Sequence, residues 1–369
     1  MSQPALISME QLSPVLTAFG LTANGSPMIL KGDADNAGST VVRLDNVSRP
    51  GHEQPVGSVV LKGRPVTGAD VDNTLPDQTL SAYLEGLLLK ESPGLLPPRL
   101  LTVESAALTW QDPAQKTVWS ASLYIDGTGF DWLTNSPQWK QAHAHSAGEL
   151  LAKIHCAGRT VIDQLGAENK HKLRSIVPTL ADCAQILQEN TDRSFLDLAL
   201  IEQLSETIKQ AVDAITCGAD CETLRADETI VHGDYHPGNV LFRGETAVAA
   251  VDFDYAHCEH PLYDLAYAWL MFSSGSKQEQ QNAKEQAAAG LLSGYKQFYE
   301  DSGKPLPLYL QGDQKDYLSP PANTPLHHYS VVVAYLLLLW TFSAEGNAHH
   351  LAGSLAIRMV ERIQRLGKL

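Results

Sequence analysis

The sequence predicts an α+β fold with two lobes, a β-rich N-terminal lobe over residues 1–125 and a mostly helical C-terminal lobe over residues 126–369. Strand-length runs of β-branched and apolar residues dominate the first part, whereas apolar residues at helical spacing dominate the second. The chain of 369 residues also exceeds what one hydrophobic core usually serves. An Ile-Asp-Gly link at residues 125–127 is the natural boundary between the lobes.

The elements of the N-terminal lobe follow from their residue patterns. Apolar residues recur every three or four positions in the helices and run together in the strands, while glycine, proline and aspartate dominate the intervening loop. In chain order we expect a helix over 9–19, strands over 27–31, 40–44 and 58–62, a surface loop over 63–78, a helix over 79–91 and a strand over 117–124.

The C-terminal lobe has the pattern of a series of helices interrupted by one hairpin. Its longest apolar run, residues 331–342, is too short to span a bilayer, and we therefore expect a buried core helix there. The expected helices cover residues 139–156, 176–188, 196–215, 262–273, 277–299 and 326–344.

A tight β-hairpin is expected from two apolar β-type runs, 240–243 and 247–251. If the hairpin is symmetric, Asn239 before the first strand lies opposite Asp252 after the second, with Cβ atoms roughly 5 Å apart. An amide oxygen and a carboxylate at that separation can hold one small hard cation, and beside a phosphate that cation is Mg²⁺. Asp234 lies on the loop that leads into the hairpin.

These residues follow a spacing that is known from phosphoryl transfer. There a His-x-Asp-x-x-x-x-Asn loop supplies a base and a metal-binding amide, and a later Asp-Phe dipeptide supplies a metal-binding carboxylate. In this chain the motif residues are His232, Asp234, Asn239, Asp252 and Phe253. The stretch His-Gly-Asp-Tyr-His-Pro-Gly-Asn, followed by Val-Asp-Phe-Asp, resembles the aminoglycoside phosphotransferase family, a kinase-like group that includes choline, homoserine and fructosamine kinases.

Three further stretches support the resemblance and occur in the family's order. Residues 150–155 resemble the helix that this family places before its catalytic loop, and residues 263–266 resemble the segment after its metal-binding acid. Residues 58–62, followed by Glu85, resemble its lysine strand and partner helix. The resemblance therefore implies a two-lobed protein-kinase-like fold for most of the chain.

The resemblance implies transfer of the γ-phosphoryl group of ATP, with GTP as the alternative, to a hydroxyl of a small metabolite or an aminoglycoside-like acceptor. An amine is the less favoured acceptor. A carboxylate with a reference pKa of ~3.9 is a weak base at neutral pH. We therefore expect Asp234 to align the acceptor through a hydrogen bond more than to remove its proton early. Asn239 and Asp252 would hold Mg²⁺ across the β- and γ-phosphates. The acceptor pocket is expected within residues 262–345.

Nucleotide binding is expected in the N-terminal lobe. Lys62 would neutralise phosphate charge, and Glu85 would hold Lys62 in place by a charge-assisted contact. Lys31 ends a similar stretch, but the chain order of loop, lysine strand and glutamate helix favours Lys62. The alternative is that Lys62 and Glu85 are ordinary surface charges.

The nucleotide loop departs from the family pattern. It has only two glycines and two aspartates, and aspartate repels phosphate. It also lacks the Gly-Lys-Ser/Thr and Gly-x-Gly-x-x-Gly sequences of known phosphate-binding loops. Backbone N–H groups would still cover the phosphates, and adenine would lie against the link between the lobes. The residues expected to contact the nucleotide in these two segments are Gly38, Ser39, Thr40, Leu123 and Ile125.

Two other functions stay open at this point. A catalytically silent binding protein with the same fold is favoured only by the irregular nucleotide loop. A metal-dependent hydrolase is suggested by histidines near the motif, but Pro237 and Gly238 break the helix that a His-Glu-x-x-His site requires. Instead we expect His232 to be a structural hydrogen-bonding residue and Asp264 to begin a helix and tie down the loop. The histidines in question are His232, His236, His257 and His260.

Charge and cysteine content limit the partners and the compartment. A formal net charge of −15 argues against nucleic acid or an anionic membrane as a partner, but it tolerates a cationic acceptor. The five cysteines lack Cys-x-x-Cys spacing and residues 1–20 show no export signal, so we expect a cytoplasmic location. Glu259 and Glu345 are candidates for binding a cationic acceptor, although such acids are more typical of solvated surfaces. The sequence does not determine the oligomeric state.

Overall fold

A computed structural model divides the chain into two compact units. Unit 1 covers residues 1–126, and unit 2 covers residues 127–344 and 349–369. The predicted α+β class is confirmed, because unit 1 is built on a β-sheet and unit 2 is mostly helical. The predicted division of nucleotide binding and catalysis between two lobes stays a prediction. The described residues are 7–31, 39–51, 55–65, 78–112, 114, 117–130, 139–173, 175, 177, 197–218, 221–273, 278–310, 324–343 and 349–367.

Unit 1 contains a seven-stranded sheet and two helices within its described residues. Its elements are α1 (Met9–Ala18), β1 (Thr22–Ala23), β2 (Met28–Lys31), β3 (Thr40–Ser48), β4 (Gly57–Pro65), α2 (Gln78–Glu91), β5 (Arg99–Leu100), β6 (Thr109–Asp112) and β7 (Thr117–Leu123). The strand order is β1-β3-β4-β7-β5, with β2 paired to β3 and β6 paired to β7, and every pair is antiparallel.

The core of unit 1 lies between α1 and one face of this sheet. Ser8 caps α1, since its hydroxyl accepts the N–H of Gln11 while the Gln11 side chain accepts the N–H of Ser8 at 2.8 Å. Helix α1 buries Leu12, Val15 and Leu16 against alternate residues of β3, β4 and β7. Because side chains alternate across a strand, the residues between them face away from this core.

Unit 2 carries the other described helices and two short two-stranded sheets, in which β9 pairs with β10 and β8 pairs with β11. Its elements are α3 (Gln141–Gln164), α4 (Ala167–Lys172), α5 (Leu198–Cys217), α6 (Cys221–Ala226), β8 (Thr229–Val231), β9 (Val240–Arg243), β10 (Thr246–Ala250), β11 (His257–Glu259), α7 (Leu262–Phe272), α8 (Gln278–Ser302), a 3₁₀ turn (Leu308–Leu310), α9 (Pro325–Ser343) and α10 (His349–Leu366). The expected core helix is α9, most of whose described side chains are buried. Within the described ranges, no helix is both long and apolar enough to cross a membrane.

Helices α3 and α8 pack with their backbones in contact because glycines lie where they meet. A Cβ atom at Gly148 would overlap the carbonyl oxygen of Leu291, and one at Gly294 would overlap that of His145. Glycine alone leaves room for such an approach. Helix α3 is thereby fixed, and it carries His155, whose carbonyl oxygen accepts the Thr229 hydroxyl at 2.8 Å at the start of β8.

The differences between predicted and observed elements are mostly at short or late segments. Strands β1, β5, β8 and β11 have two or three residues each, which is too short to show a periodicity. Helix α10 lies beyond the last predicted helix. Its apolar residues have helical spacing, so the signal for this helix was present in the sequence. Most of the helix predicted over 176–188 lies outside the described residues.

A buried imidazole makes the stability of unit 2 sensitive to acid. His260 is 2% exposed, and its Nδ1 atom accepts the N–H of Leu262 at 3.1 Å. Burial, followed by the electrostatic effects of Arg159 and His155, lowers the pKa of His260 to about 3. The folded protein therefore resists protonation of a group that the unfolded chain protonates near pH ~6.5.

We predict that the free energy of unfolding falls as the pH is lowered from about 6.5 toward 3, because in this window only the unfolded chain binds a proton at His260. Between pH ~6.5 and ~5 this group accounts for a loss of roughly 2 kcal/mol. In His260→Asn the side chain can still accept the N–H two residues ahead but does not titrate, so the acid loss should shrink by that amount. Urea unfolding at the two pH values measures it, and an equal loss in both proteins would contradict the assignment.

Candidate active site

The motif loop runs from His232 to Asn239 and connects β8 to β9. Its second residue, Gly233, has a left-handed φ of 82°, and a Cβ atom there would overlap the carbonyl oxygen of Tyr255. Both observations require glycine at this position. The turn at Gly233 directs two successive backbone N–H groups of the loop toward α7.

Asp264 in the first turn of α7 receives these groups. Its Oδ2 atom accepts the N–H of His232 at 2.6 Å, and its Oδ1 atom accepts the N–H of Gly233 at 2.9 Å. The Nε2 atom of His155 on α3 lies 3.0 Å from the same Oδ2. The side chains of Asp264 and His155 are fully buried. The structure thus confirms that Asp264 ties down the motif loop.

The proton positions in this cluster follow from its partners. Burial acts to raise the pKa of Asp264, but hydrogen bonds from the His155 side chain and the His232 backbone act against burial, and the pKa is lowered. Burial lowers the pKa of His155 as well, against the pull of Asp264. The Tyr295 hydroxyl lies 2.8 Å from Nδ1 of His155. A neutral imidazole that donates Nε2–H to ionised Asp264 and accepts the Tyr295 hydroxyl satisfies every group.

His232 has a structural role. Its Nε2 atom donates to the carbonyl oxygen of Val251 at 2.9 Å, and its Nδ1 atom accepts the N–H of Asp234 at 3.3 Å. Its ring packs on Phe253, with the ring centres 4.3 Å apart. His232 therefore joins the motif loop to the segment that carries Asp252, which confirms the structural assignment.

The histidines near the motif serve the local backbone. The Nδ1 atom of His257 donates to the backbone carbonyl oxygen of Tyr255 at 2.8 Å. In the part of the chain that the structure describes, no group of three His, Cys, Asp or Glu side chains could hold a metal ion. Three histidines accept, through Nδ1, the backbone N–H of the residue two positions ahead: His232 from Asp234, His236 from Gly238, and His260 from Leu262.

The carboxylate of Asp234 is surrounded by side chains that carry hydrogen-bond donors. Its Oδ1 atom accepts the Tyr267 hydroxyl at 2.5 Å. Its Oδ2 atom accepts Nδ2 of Asn239 at 3.0 Å and lies 3.6 Å from Nε2 of His236. The side chain is nevertheless 22% exposed. Asp234 is therefore partly accessible from solvent.

These neighbours keep Asp234 ionised at neutral pH. Burial acts to raise its pKa, but the side chain of His236 and the hydrogen bond from Tyr267 outweigh burial, and the pKa of Asp234 is lowered. The carboxylate of Asp252 opposes this shift without reversing it. Burial and then the charge of Asp234 raise the pKa of Tyr267, and the phenol therefore keeps its proton.

Asn239 has an amide oxygen that can bind a cation. Its Nδ2 atom donates to the backbone oxygen of Asp234 at 2.9 Å and to Oδ2 of the same residue at 3.0 Å. An amide nitrogen has two hydrogens, and both are used here. The buried side chain is thus held in one orientation, with Oδ1 as the atom left to meet a hard cation.

The hairpin register differs from the predicted one by one residue. Strands β9 and β10 are joined by a two-residue turn at 244–245, and a bulge in β10 shifts their pairing. As a result the N–H of Val251 donates to the carbonyl oxygen of Asn239 at 2.9 Å. Val251 rather than Asp252 lies opposite Asn239, so the predicted opposition is wrong. The difference arises because the turn lies at 244–245 and is not centred on the Glu245–Thr246 bond. The bulge, which places two residues of β10 against one of β9, recovers one residue of this shift.

Asp252 follows the hairpin in a left-handed backbone conformation, with a φ of 69°. This conformation costs energy for any residue other than glycine and is concentrated at functional sites. Asn239 precedes β9 and Asp252 follows β10, so an amide oxygen and a carboxylate belong to the same end of the hairpin. This donor set fits a hard divalent cation such as Mg²⁺.

In unit 1, Glu85 of α2 pairs with Arg99 of β5 and not with Lys62, so the predicted pairing is wrong. The Nε atom of Arg99 donates to Oε2 of Glu85 at 2.7 Å, and Nη2 donates to Oε1. The Nη1 atom also donates to the Ser120 hydroxyl at 2.8 Å. A planar guanidinium matches both carboxylate oxygens at once, which an ammonium cannot do. A part for Lys62 and Glu85 in nucleotide binding stays a prediction.

Lys62 lies on a basic face of the unit 1 sheet. It is opposite Ser120 in the register of β4 and β7, on the face turned away from α1. Arg43 and Arg64 lie on the same face by strand alternation, and Arg99 contacts Ser120 there. Arg43 is paired with Asp45 at 2.8 Å and Arg99 with Glu85, so neighbouring carboxylates largely neutralise these two arginines.

The link expected to meet adenine has two backbone donors already in use. The N–H of Leu123 donates to the carbonyl oxygen of Pro98 at 2.8 Å, and the N–H of Tyr124 donates to that of Ser58 at 2.9 Å. A base at this link would therefore have to use Ile125 or the carbonyl oxygens. Contact of Leu123 and Ile125 with a nucleotide stays a prediction.

Only part of the predicted phosphate loop is described. Gly38 lies outside the described residues. Ser39 is buried, and Thr40 begins β3, where it pairs with Gly63 of β4. Phosphate binding by Ser39 and Thr40 stays a prediction.

Of the two acids considered for a cationic acceptor, Glu345 lies outside the described residues. Glu259 is buried in β11, where its Oε1 atom accepts the Tyr329 hydroxyl at 2.8 Å and the N–H of His260 at 2.7 Å. The expectation of a solvated surface acid at Glu259 is therefore wrong. The carboxylate can be buried because these donors compensate for its loss of solvent.

Residues 94–304 match the model of the phosphotransferase enzyme family, and this span contains the motif loop, the hairpin and α7. The match covers more than half of the chain. The chain belongs to the phosphotransferase enzyme family. The resemblance to aminoglycoside phosphotransferases that the motif residues indicate is confirmed.

Individual relatives are more distant. A homoserine kinase from Granulibacter bethesdensis is 29% identical over 131 residues, which are 34% of this chain and 35% of that protein. The matched part thus spans about a third of the relative. A protein from Ralstonia eutropha JMP134, assigned to the aminoglycoside phosphotransferases, has a TM-score of 0.59 at 16% identity, with 98% of each chain covered. Spectinomycin phosphotransferase in complex with ADP and spectinomycin has a TM-score of 0.56 at 16% identity, with 99% of this chain and 100% of that chain covered. At such identities the likeness shows the fold, and the predicted kinase-like fold is confirmed.

Three contacts of the site were not predicted, namely those made by Tyr267, His236 and Arg99. Tyr267 follows Asp264 by three residues, a spacing that places both on one face of a helix, and this was the available signal. His236 reaches Asp234 from within the motif loop. No local pattern links Arg99 to α2.

We predict that Arg99→Met destabilises the protein by about 3–5 kcal/mol, because it leaves the buried carboxylate of Glu85 without its partner. The double variant Glu85→Gln/Arg99→Met removes the charge together with its partner, so it should lose less than the single variant. Urea unfolding of the three proteins tests this. A double variant less stable than Arg99→Met would contradict the assignment.

Proposed function

We propose that the protein is an ATP-dependent kinase that transfers the γ-phosphoryl group to a hydroxyl of a small molecule. The observation that carries the proposal is the partly exposed carboxylate of Asp234, which accepts Nδ2 of Asn239 at the end of the hairpin that Asp252 follows. An ionised carboxylate can orient a hydroxyl, and the oxygen ligands suit the cation that accompanies nucleotide phosphates. Membership of the phosphotransferase family supports the same reaction class.

Asp234 contributes mainly by alignment. Its lowered pKa makes it a weak base at neutral pH. The hydroxyl proton therefore passes to the carboxylate late, as the bond from the acceptor oxygen to phosphorus forms and the bond to the leaving diphosphate breaks. Phosphoryl transfer requires the attacking and leaving oxygens to lie roughly in line, so holding the hydroxyl in place accounts for much of the rate.

A hydroxyl is favoured over an amine for a chemical reason. A hydroxyl carries both a proton for the hydrogen bond to Asp234 and a lone pair that attacks phosphorus. An alkyl amine is protonated at neutral pH and has no free lone pair. A carboxylate whose pKa is already lowered is too weak a base to deprotonate it.

Asn239 and Asp252 are proposed to hold Mg²⁺, which when bound stabilises the charge that develops on the β- and γ-phosphate oxygens. The amide of Asn239 has a second task. Its nitrogen bonds to Asp234 while its oxygen is left for the cation. The orientation of the metal ligand and that of the aligning carboxylate are thereby linked by one side chain.

Nucleotide binding is assigned to unit 1, with Lys62 as the cation that neutralises phosphate. The position of Lys62 on the same sheet face as Arg64 supports this assignment. One protein of the same fold is described in complex with ADP. ATP is the proposed donor, and GTP is the alternative that a nucleotide panel would distinguish.

The acceptor is proposed to be a small metabolite or an aminoglycoside-like molecule. The names of the relatives refer to homoserine and to spectinomycin, both of them small molecules. A catalytically silent binding protein is the second candidate, because the nucleotide loop has two aspartates and few glycines. ATP consumption with a panel of amino alcohols, homoserine, sugars and aminoglycosides tests the first candidate against the second. Binding without consumption would favour the silent protein.

In Asp234→Asn we expect turnover to fall by about two to four orders of magnitude, since the amide cannot accept the acceptor proton. The affinity for Mg-nucleotide should stay nearly unchanged, because Asp234 is not one of the proposed metal ligands. Coupled ADP release and calorimetry measure the two quantities. Asp163→Asn, the same change at an exposed position of α3, is the control and should leave both at the wild-type value. Wild-type turnover in Asp234→Asn would contradict the assignment.

In Asp252→Asn we expect the affinity for nucleotide to fall at least about tenfold when Mg²⁺ is present. The reason is that Asp252 is the charged member of the two proposed Mg²⁺ ligands, and the substitution removes its charge. Without Mg²⁺ the two proteins should bind nucleotide equally. Calorimetry with Mg²⁺ and with a chelator makes the comparison. Equal affinity in the presence of Mg²⁺ would remove Asp252 from the metal site.

A further inference from the structure

We propose that Tyr267 is a positioning residue that fixes the rotation of the Asp234 carboxylate for the incoming hydroxyl. The inference deepens the proposed kinase function and rests on it. The Tyr267 hydroxyl donates to Oδ1 of Asp234 at 2.5 Å, while Nδ2 of Asn239 donates to Oδ2 at 3.0 Å. The two carboxylate oxygens thus have different donors, which come from different segments of the chain.

Both donors are needed because a carboxylate turns easily about its last torsion, which is broad and roughly two-fold. Asn239 fixes one oxygen from within the motif loop. The second oxygen is held from outside the loop, by a side chain of α7. With both oxygens held, the accessible lone pairs of Asp234 point in one direction. Orientation of this kind matters, because a misplacement of about 1 Å can cost roughly 100-fold in rate.

Helix α7 holds Tyr267 in a fixed relation to the motif loop. Asp264 lies one turn earlier on the same helix and binds the backbone N–H groups of His232 and Gly233. Residues three apart share one face of a helix. One helix therefore sets the backbone of the loop through Asp264 and the rotation of the Asp234 side chain through Tyr267.

The phenol does not take the place of the acceptor. A carboxylate oxygen can accept more than one hydrogen bond, and the Asp234 side chain is 22% exposed with Tyr267 in position. The incoming hydroxyl can therefore donate at the exposed edge while Tyr267 remains bound. It follows that removal of the phenol slows the reaction and does not release an inhibited enzyme.

The test compares Tyr267→Phe with Tyr263→Phe, which removes a phenol one turn earlier on the same helix. In Tyr267→Phe we expect kcat to fall about 10- to 100-fold, with the KM for the acceptor and the affinity for Mg-ATP within about threefold of wild type. In Tyr263→Phe we expect all three quantities within about threefold of wild type. Thermal unfolding checks that each variant is folded. If Tyr267→Phe does not fold, Tyr267→Met serves as the second variant, with the same expectation.

The possible outcomes separate this inference from the proposed function. An active wild type with an equal or higher kcat in Tyr267→Phe overturns the inference and leaves the kinase function standing. A parallel loss of kcat and Mg-ATP affinity also overturns it, because that result indicates general disturbance of the site. A wild type that phosphorylates none of the panel acceptors overturns the proposed function and the inference together. A selective loss of kcat in Tyr267→Phe alone supports the inference.

Discussion

The candidate site depends on the hydrogen bonds of the buried carboxylate of Asp264. An ionised group without solvent is tolerated only when donors meet its oxygens. Here the donors are the backbone N–H groups of His232 and Gly233 and the imidazole of His155. These partners come from the motif loop and from α3, while Asp264 itself belongs to α7. A displacement of the loop would leave a charge unpaired in the interior, so the loop is held to both helices.

Once the loop backbone is fixed, the side chains of the motif divide by task. His232 bonds to backbone groups at both ring nitrogens and joins the loop to the segment after the hairpin. Asn239 spans from Asp234 to the proposed cation. Asp252 has a left-handed backbone conformation that an isolated peptide would rarely adopt. The adjacent Val251 is held on both sides, because its N–H donates to Asn239 and its carbonyl oxygen accepts His232.

The sequence predicts those parts of the site whose signals are local. The longer helices and strands follow from periodicity, and the loop residues Asp234 and Asn239 follow from their spacing. The contact of Glu85 with Arg99 does not follow, because two cations compete for one carboxylate and only the three-dimensional placement decides between them. The bulge in β10 cannot be predicted from the sequence either, because a run of alanine and valine fits more than one register. Tyr267 lies between these cases, because its helical spacing from Asp264 is visible in the sequence while its contact with the carboxylate of Asp234 is not.

In the reaction that we propose, the carboxylate of Asp234 aligns a hydroxyl that accepts a phosphoryl group. The most direct measurement is ³¹P NMR of the protein with Mg-ATP and each acceptor of the panel. For at least one acceptor we expect the γ-phosphate signal of ATP to be replaced by that of a phosphate monoester, and we expect no such signal with Asp234→Asn. A γ-phosphate that remains in ATP, or that appears only as inorganic phosphate with every acceptor, would contradict this proposal.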